Sequence, residues 1–387
     1  MSTKTGVIVI EGHVQGLSNT RELGKRGIPV WVIDTGNCVA KYSRYCQNFV
    51  QCPAFNSDAL AVFLIDLAKT NNLEDWMLLP SNDHAVYTIS RNHSRLSEYF
   101  KLITEKTEQL DLIYDKVNLL ELVLKAKVDF PFYQSKSTLE ELDFNAFEYP
   151  VITKGRVGLD FHKKLKTKVI ISTSALELKK NLIDLSTKFP IEKTFTQNII
   201  PFDKGNKTIS VGCFASEGEL VTCWMGVKKR EHPLTFGTAT LAESIYNKEL
   251  VEPTKNILKA LNYSGICEIE FLFDPRDKTY NLIEINARTW LWVGLAAECG
   301  VPLVWLAYQK ANGLKMEIPN YYEKNVVWFN PFTNIVFTLK GLLNGKVKWQ
   351  EIQENLGKKK VNALFIKGDF IPGWMYFVLL LKFIKTR

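Results

Sequence analysis

The chain has 387 residues, of which 46% are hydrophobic and 23% are charged, which is ordinary for a folded soluble protein of two or three domains. Its formal net charge is +8, and residues 311–387 contribute +7 of it, from 12 Lys or Arg against 5 Asp or Glu. A basic excess confined to one tail argues against a general nucleic-acid binder and favours a local basic surface for an acidic substrate or a membrane face.

The N-terminal part of the chain alternates between predicted strands and helices. An apolar run at residues 7–10 predicts a buried strand, residues 17–26 a short helix, and residues 28–33 a second strand. The alternation continues with a helix at 58–69, a strand at 76–79 and a helix at 83–92. This βαβ opening predicts a parallel sheet. We find no cleavable signal before it, and the seven scattered cysteines support neither a zinc site nor a disulfide framework, so we expect a cytoplasmic protein.

A dinucleotide site has to be considered in this opening. Asp34 follows the second strand, where a ribose-binding carboxylate would stand. However, Gly12 and Gly16 form G-x-x-x-G and not the G-x-G-x-x-G fingerprint, and a lone glycine turn is weak support. The sequence therefore does not favour nicotinamide binding.

The middle of the chain places lysines and glycines beside predicted element ends. Asp115 is a good N-cap for a helix running to about residue 127, which leaves Lys116 in its first turn. A lysine is unfavourable there, so either phosphate lies nearby or Lys116 is simply solvated. Residues 149–154 predict a strand ending at Lys154, followed by Gly155, Gly158 and a basic run. Backbone N–H groups at glycines can approach phosphate oxygens closely.

Two further strands are predicted at residues 208–216 and 219–226, with a turn between them. The second strand leads into Lys228 and Arg230, which would alternate onto one face of an extended chain. This pair is either a site for a phosphorylated group or a solvated strand end.

The stretch from Gly265 to Trp290 predicts two strands joined by a turn rich in Asp and Pro. Because successive side chains of a strand alternate between faces, Glu284 and Asn286 share one face, together with Arg288 if the strand continues; Glu270 takes an alternating position on the partner strand. Carboxylates gathered among apolar residues are costly to bury without a cation, and oxygen ligands suit Mg²⁺. The alternative is a surface hairpin with solvated carboxylates.

The sequences E-I-E-F-L-F-D and L-I-E-I-N-A-R resemble the metal-binding signature of the ATP-grasp superfamily, whose ligases use ATP to join a carboxylate to an amine or thiol. This resemblance implies that Glu270, Glu284 and Asn286 hold Mg²⁺, with Mn²⁺ as an alternative. It also implies that Arg288 faces the transferred phosphoryl group and the substrate carboxylate.

The same resemblance assigns the nucleotide site. It implies that Lys116 and Lys154 reach the ATP phosphates and that Gly155 and Gly158 belong to a loop that closes over them. The segment at residues 195–201 falls where the family carries its adenine hinge, which implies nucleotide contacts from the residues Gln197, Asn198 and Ile199. Asn198 stands in place of the usual Glu, and Phe202 and Asp203 replace the usual glycine, so a side-chain contact to the nucleotide is in doubt.

The segment from Gly226 onward resembles the G-x-K-x-R-x-x-P segment of an ATP-grasp branch that includes peptidoglycan D-aspartate ligase. It implies that Lys228 and Arg230 lie near the γ-phosphate and the acyl phosphate.

The C-terminal end has an unbroken apolar run only at residues 374–381, whereas a membrane-spanning helix needs about twenty residues. This end is therefore either a helix docked on the protein or an interfacial anchor that places Lys382, Lys385 and Arg387 at lipid headgroups.

The sequence thus predicts an α/β protein with three parts: an N-terminal α/β domain at residues 1–114, an ATP-grasp domain at 115–312, and a basic extension at 313–387. The resemblance implies an ADP-forming ligase that activates a carboxylate as an acyl phosphate and joins it to an amine, with small-molecule or envelope-precursor substrates. A homodimer is compatible with it, as is a location at the inner membrane surface. The competing interpretation is a nucleotide-binding sensor or scaffold without ligase turnover.

Overall fold

The structure is a computed structural model that describes residues 5–201, 206–232, 237–345 and 347–385. The segment with Phe202 and Asp203, and Arg387 at the end, lie outside the described residues. The architecture is mixed α/β and contains three sheets.

The first sheet has five parallel strands in the order β3-β2-β1-β4-β5, which confirms the parallel sheet predicted from the βαβ pattern. Its elements are β1 (Val7–Ile10), α1 (Val14–Gly24), β2 (Val30–Asp34), β3 (Asn48–Gln51), α2 (Ala59–Asn71), β4 (Met77–Pro80), α3 (Asp83–Arg91), α4 (His93–Leu96) and β5 (Lys101–Leu102). Strand order reverses beside β1, and ligands of open parallel sheets bind outside the carboxyl ends of the strands at such a point. At that end Asp34 accepts a hydrogen bond from the Gly12 backbone N–H at 2.8 Å, so this carboxylate fixes a turn of the protein.

The second sheet has four antiparallel strands in the order β6-β9-β7-β8. This region contains α5 (Thr107–Tyr114), α6 (Lys116–Lys125), β6 (Tyr133–Gln134), β7 (Val151–Gly155), α7 (Gly158–Leu165), β8 (Ile170–Ser172), α8 (Ala175–Ser186) and β9 (Thr194–Asn198). Asp115 is the N-cap of α6 and accepts hydrogen bonds from the backbone N–H groups of Val117 and Asn118, which confirms the predicted helix start.

The third sheet has seven strands in the order β14-β13-β10-β11-β12-β15-β16. Its region contains β10 (Thr208–Ser216), β11 (Glu219–His232), β12 (Thr238–Ile245), α9 (Val251–Leu261), β13 (Gly265–Asp274), β14 (Thr279–Asn286), α10 (Gly294–Glu298), α11 (Leu303–Ala311), β15 (Val327–Phe329), α12 (Pro331–Leu343), α13 (Trp349–Leu356), β16 (Lys360–Asn362) and α14 (Ile371–Lys385). Short 3₁₀ helices lie at Ala40–Tyr42, Ile191–Lys193 and Lys248–Leu250.

The C-terminal residues contribute directly to this third sheet. Strand β15 pairs antiparallel with β12, and β16 pairs parallel with β15, so residues 327–329 and 360–362 continue the sheet that begins with the β13–β14 hairpin. The predicted domain boundaries at residues 114 and 312 remain predictions. Within the described residues, no helix combines the length and the apolar character that crossing a membrane would need.

The helix that follows Arg288 is short. Helix α10 covers only five residues, because Trp290 and Trp292 lie ahead of it and pack into a buried aromatic cluster with Trp224. Gly212 on β10 makes room for this cluster, since a Cβ there would lie 2.1 Å from the Trp290 ring. The apolar core around these tryptophans also includes residues of β1 and β4, so it joins the first sheet to the third.

Candidate active site

One cavity of about 590 Å³ is lined by residues from all three sheets. His13 and Asp83 of its wall come from the segments that follow strands β1 and β4 of the first sheet. Lys154 lies on a strand of the second sheet, and Glu270 and Glu284 lie on strands of the third. A cavity of this size is within the range of ligand-binding pockets.

The carboxylates of the predicted metal site face each other across two neighbouring strands. In the β13–β14 ladder Glu270 lies directly opposite Glu284, and Glu268 lies directly opposite Asn286. Such opposed pairs have Cβ atoms about 4.5–5.5 Å apart, so the side chains project together into the cavity. The register shifts immediately after Glu270, and bulges of this kind are common beside active sites.

Two lysines neutralise these carboxylates. The Lys228 Nζ atom lies 2.8 Å from Glu270 Oε1, and the Lys116 Nζ atom lies 2.7 Å from Glu284 Oε1. The charge of Lys116 lowers the pKa of Glu284 to about 2, against the effect of burial. Although burial opposes its charged form, the Glu270 and Glu268 carboxylates raise the pKa of Lys228 above its usual range. The Glu284 carboxylate is therefore ionised at neutral pH and able to accept a metal ion.

The donor set fits Mg²⁺. Glu270, Glu284 and the side-chain amide of Asn286 all line the cavity and offer oxygen ligands. No three His, Cys, Asp or Glu side chains form a ready metal cluster in the described part of the chain. Mg²⁺ takes few protein ligands and keeps water and phosphate oxygens in its remaining positions, so two carboxylates and an amide are a suitable donor set for it.

Glu268 is a fourth polar residue of this wall, and the sequence assigned it no role. It is 2% exposed, accepts a hydrogen bond from Asn286 Nδ2 at 3.0 Å, and has an Oε1 atom without a hydrogen-bond partner among the described residues. Burial, together with the neighbouring Glu270 charge, raises the pKa of Glu268 to about 8. Its contact with Asn286 orients that amide toward the cavity.

Lys154 and the loop after it form another part of the wall. Burial and the neighbouring Lys116 lower the pKa of Lys154 to about 8. Gly155 is required by packing, because a Cβ there would lie 2.4 Å from Phe161 Cβ. Gly158 also lines the cavity, at the first turn of α7. These residues form the wall in which the sequence predicted phosphate contacts.

An apolar slot lies between the second and third sheets. Its walls include the side chains of Pro131, Ile152, Ile199, Ile200 and Leu272. Ile152, Ile200 and Leu272 are 2–3% exposed, which gives the slot a dry surface suited to a planar ring.

Gln197 and Asn198 border this slot, but their side chains bind the protein. Gln197 Nε2 donates to the Pro131 carbonyl at 3.4 Å, and Asn198 Oδ1 accepts from the Glu148 backbone N–H at 3.2 Å. The Asn198 side chain therefore fixes a loop. This agrees with the doubt, stated above, that Asn198 makes the nucleotide contact of the Glu that the family usually has at this position.

Arg288 reaches across to the first sheet. Its Nε and Nη2 atoms donate to the two oxygens of Asp83 at 2.8 and 2.9 Å, and Nη2 also lies 3.3 Å from Asn286 Oδ1. Burial opposes the charged guanidinium, but Asp83 keeps the pKa of Arg288 above its usual range. Arg288 therefore contacts a predicted metal ligand and stays charged at the edge of the cavity.

The expectation that Lys228 and Arg230 share a face is wrong. The β11–β12 register shifts on both sides of Arg230, and such irregularities change the direction in which the following side chain points. Lys228 lines the cavity, whereas the Arg230 guanidinium donates to Asn334 and Thr338 of α12 and is not among the lining residues. In the structure Arg230 anchors a helix.

Sequence reasoning missed several lining residues besides Glu268. They are His13, Gln15, Asp83, Tyr114, Glu231, Trp290 and Trp292. A signal existed for Asp83, because it follows the carboxyl end of β4, where polar residues of parallel sheets tend to meet ligands.

The sequence of the chain is similar to parts of known proteins. Residues 231–318, which include Glu270, Glu284, Asn286 and Arg288, match the family model described as "Carbamoyl-phosphate synthase L chain, ATP binding domain". The D-aspartate ligase of Enterococcus faecium is 23% identical over 267 residues, which cover 64% of this chain and 62% of that protein. The chain therefore spans less than two thirds of this relative's length.

Two solved structures resemble the fold. N5-carboxyaminoimidazole synthetase from Staphylococcus aureus, solved with ADP, is 15% identical with a TM-score of 0.65 and covers 89% of this chain and 87% of its own. The L-amino acid ligase of Bacillus licheniformis is also 15% identical, with a TM-score of 0.59 and coverage of 80% and 75%. The chain therefore shares the fold of these two enzymes, and its residues 231–318 are similar to the ATP-binding domain of carbamoyl-phosphate synthases.

Proposed function

We propose that this protein is an ATP-dependent, ADP-forming ligase that joins a carboxylate to an amine. The observation that carries the proposal is the arrangement of one cavity. One and the same cavity is lined by the apolar residues of the slot and by Lys116, Lys154, Glu270, Glu284 and Arg288. Such a wall offers cations for phosphate oxygens and carboxylates for a metal ion, next to a slot for an aromatic base.

The proposed chemistry has two steps. A substrate carboxylate oxygen attacks the γ-phosphorus of ATP, the bond to the bridging oxygen breaks, and ADP leaves. The nitrogen of the amine then attacks the acyl carbon, the bond to the phosphate oxygen breaks, and phosphate and a proton are released. Catalysis of this kind depends on positioning and on electrostatic stabilisation of the transferred group.

Each residue has a part in this scheme that follows from its position. Glu270, Glu284 and Asn286 would hold Mg²⁺, which would neutralise phosphate charge when bound. Lys116 and Lys154 would balance the remaining phosphate charge. Arg288, which presents a planar fork of donors, would bind the substrate carboxylate and its phosphorylated form.

The substrate class is proposed from chemistry and from the relatives' names. D-aspartate ligase and L-amino acid ligase are both named for amino acids, which supports an amino acid as the carboxylate substrate. We propose that the amine is a small molecule or a cell-envelope precursor, at the cytoplasmic side of the membrane. Contact with that membrane is argued separately below.

The test is a product assay with the purified full chain. D- and L-amino acids are crossed with a panel of amines, including envelope-precursor peptides, in the presence of Mg²⁺ and ATP. Release of ADP and phosphate in equal amounts with a condensed product supports the proposal. AMP and pyrophosphate as stoichiometric products would overturn the acyl-phosphate route.

One observation favours the second candidate, a nucleotide-binding sensor or scaffold without turnover. The Asn198 side chain, which takes the place of the family's Glu, is engaged by the Glu148 backbone. The product assay separates the candidates, because a sensor would bind Mg·ATP in calorimetry and yet release no ADP with any substrate pair.

A further inference from the structure

Helices α12 and α14 present large apolar side chains to the outside of the protein. Of the 21 exposed large hydrophobic side chains in the described part of the chain, 11 lie between residues 335 and 381. This segment is about an eighth of the chain, so the exposed apolar surface is strongly concentrated. A patch of that kind on a folded protein marks an interaction site.

The apolar residues of α12 form one stripe. Ile335, Val336, Leu339 and Leu343 follow helical spacing and are 57–88% exposed. The opposite side of the helix is fixed to the protein, because Asn334 accepts a hydrogen bond from Arg230 of β11 at 2.8 Å. Helix α12 is therefore held in place with its apolar side outward.

Helix α14 has a similar stripe. Ile371, Trp374, Phe377, Val378 and Leu381 are 40–64% exposed and also follow helical spacing. The two stripes meet where Phe332 of α12 stacks on Phe377, with ring centroids 5.4 Å apart. We call the combined surface the α12–α14 face.

Exposed lysines accompany the α12–α14 face along the chain. Lys340 lies on α12, Lys348 follows α12 closely and Lys367 shortly precedes α14, and residues 311–387 carry a net charge of +7. A second copy of this chain would bring an equally basic surface against it, which like-charge repulsion disfavours. Exposed Trp374 and Trp349 beside lysines are typical of helices that lie in a lipid headgroup region.

The inner sides of α12 and α14, opposite the α12–α14 face, pack on the part of the protein that holds the cavity. His13 lines the cavity, and its ring lies 6.3 Å from the ring of Tyr376 on α14. On the other side, α12 is bonded to β11, the strand that carries Lys228 into the cavity wall. A surface that contacts the α12–α14 face would thus be separated from the cavity wall by the thickness of these helices, about 10 Å.

We propose that the α12–α14 face docks on the surface of an anionic lipid bilayer, with its apolar stripes among the headgroups and its lysines paired with lipid charges. Docking through two helices goes beyond the proposed ligase activity and does not depend on it. It holds the cavity beside the membrane surface, where a lipid-attached acceptor would be presented.

The test is flotation of the full-length protein with vesicles. At low salt the protein is expected to float with vesicles that contain phosphatidylglycerol. With vesicles of pure phosphatidylcholine it is expected to stay unbound at the bottom of the gradient. High salt should weaken the binding to the phosphatidylglycerol vesicles. The double substitution Leu339→Ser and Trp374→Ser should lower the partition coefficient by about tenfold or more. The matched control, Leu124→Ser and Leu176→Ser, changes two other exposed apolar side chains and should not lower it.

A second variant, Lys340→Gln and Lys367→Gln, leaves the apolar stripes intact and should also reduce binding to phosphatidylglycerol vesicles. All variants should keep the wild-type thermal unfolding midpoint. Failure of the wild type to float, or equal losses in the control, would overturn the proposal. A dimer in analytical ultracentrifugation that the Leu339→Ser and Trp374→Ser substitutions dissociate would overturn it too, since a second copy would then cover the face.

Discussion

At the scale of single residues, the cavity wall consists of charges that neutralise each other in pairs. Lys116 pairs with Glu284 and Lys228 pairs with Glu270, so both carboxylates of the candidate metal site contact an ammonium group. If the site binds Mg·ATP as proposed, we expect these pairs to separate, with the lysines turning to phosphate and the carboxylates to the metal. Until then the pairs keep four charges satisfied, of which Glu270 is buried and the other three are partly buried.

The first prediction concerns Glu284. Because its carboxylate would be a metal ligand, the substitution Glu284→Gln should abolish the tightening of ATP binding by Mg²⁺, which we expect to be about tenfold or more in the wild type. Calorimetric titration with ATP, with and without Mg²⁺, measures the effect. The exposed Glu192→Gln variant serves as control and should behave as the wild type. Wild-type Mg·ATP affinity in Glu284→Gln would remove Glu284 from the metal site.

The second prediction concerns the pH dependence of ATP binding. Burial beside Lys116 lowers the pKa of Lys154 to about 8, so its ammonium charge is present below pH 8 and is lost as the pH rises above it. If this charge binds phosphate, ATP affinity should be level near pH 7 and then fall by up to about tenfold per pH unit above pH 8.

The Lys154→Arg variant provides the control for this pH profile. A guanidinium stays charged over the whole range, so affinity in the variant should be nearly independent of pH between 7 and 9. Calorimetry at several pH values gives both curves. Parallel curves for the two proteins would show that Lys154 does not titrate in ATP binding.

At the scale of elements, α1 joins the first sheet to the C-terminal segment. Arg21 on α1 donates to Asp369 Oδ2 at 2.8 Å and to the carbonyls of Leu364 and Ala363, and it is 5% exposed. Asp369 also accepts from Ser43 Oγ at 2.8 Å. A buried, fully bonded ion pair thus holds residues 363–369, between β16 and α14, against α1.

The third prediction follows from this ion pair. The substitution Arg21→Met should lower the free energy of unfolding by about 3–5 kcal/mol, because it leaves the buried Asp369 charge unpaired. Urea denaturation measures the change. The control Lys25→Met lies at the end of the same helix and breaks the exposed pair with Glu298, which should cost less than about 1 kcal/mol. Equal losses in both variants would contradict the buried ion pair as a source of stability.

At the scale of the whole molecule, the cavity depends on contacts between sheets that are far apart in sequence. Arg288 follows β14 of the third sheet, and Asp83 follows β4 of the first, yet two hydrogen bonds join them. The first sheet therefore sets the position of the guanidinium that would bind the substrate carboxylate.

The fourth prediction tests this contact. Asp83→Ala should lower kcat/KM of the proposed ligation by about 10²-fold, because Arg288 loses the partner that orients it. The Kd for Mg·ATP should change little, since the apolar slot and the carboxylates lie on other parts of the wall. Steady-state assay and calorimetry measure the two effects, with the exposed Asp66→Ala as control. A large loss of Mg·ATP affinity would show that Asp83 acts on the nucleotide site instead.

Local patterns in the sequence were sufficient to predict those parts of the site that lie within a single hairpin or at the end of a single helix. Alternation along two strands predicted that Glu270, Glu284 and Asn286 share a face, and the register confirms it. The N-cap at Asp115 predicted where α6 begins and hence where Lys116 lies. These features depend on neighbouring residues and on periods of two and 3.6, so they can be read from a short stretch of chain.

Only the tertiary structure decided the remaining features, because they depend on residues that are distant in sequence. A register shift in β11 sends Arg230 to α12 and leaves Lys228 in the cavity. The Arg288–Asp83 contact spans 205 positions, and the Arg21–Asp369 pair spans 348. The sequence alone determined the motif from which nucleotide and metal binding are predicted. Packing between the three sheets decided which of the charged side chains contact each other, because burial and ion pairing arise only when the elements come together.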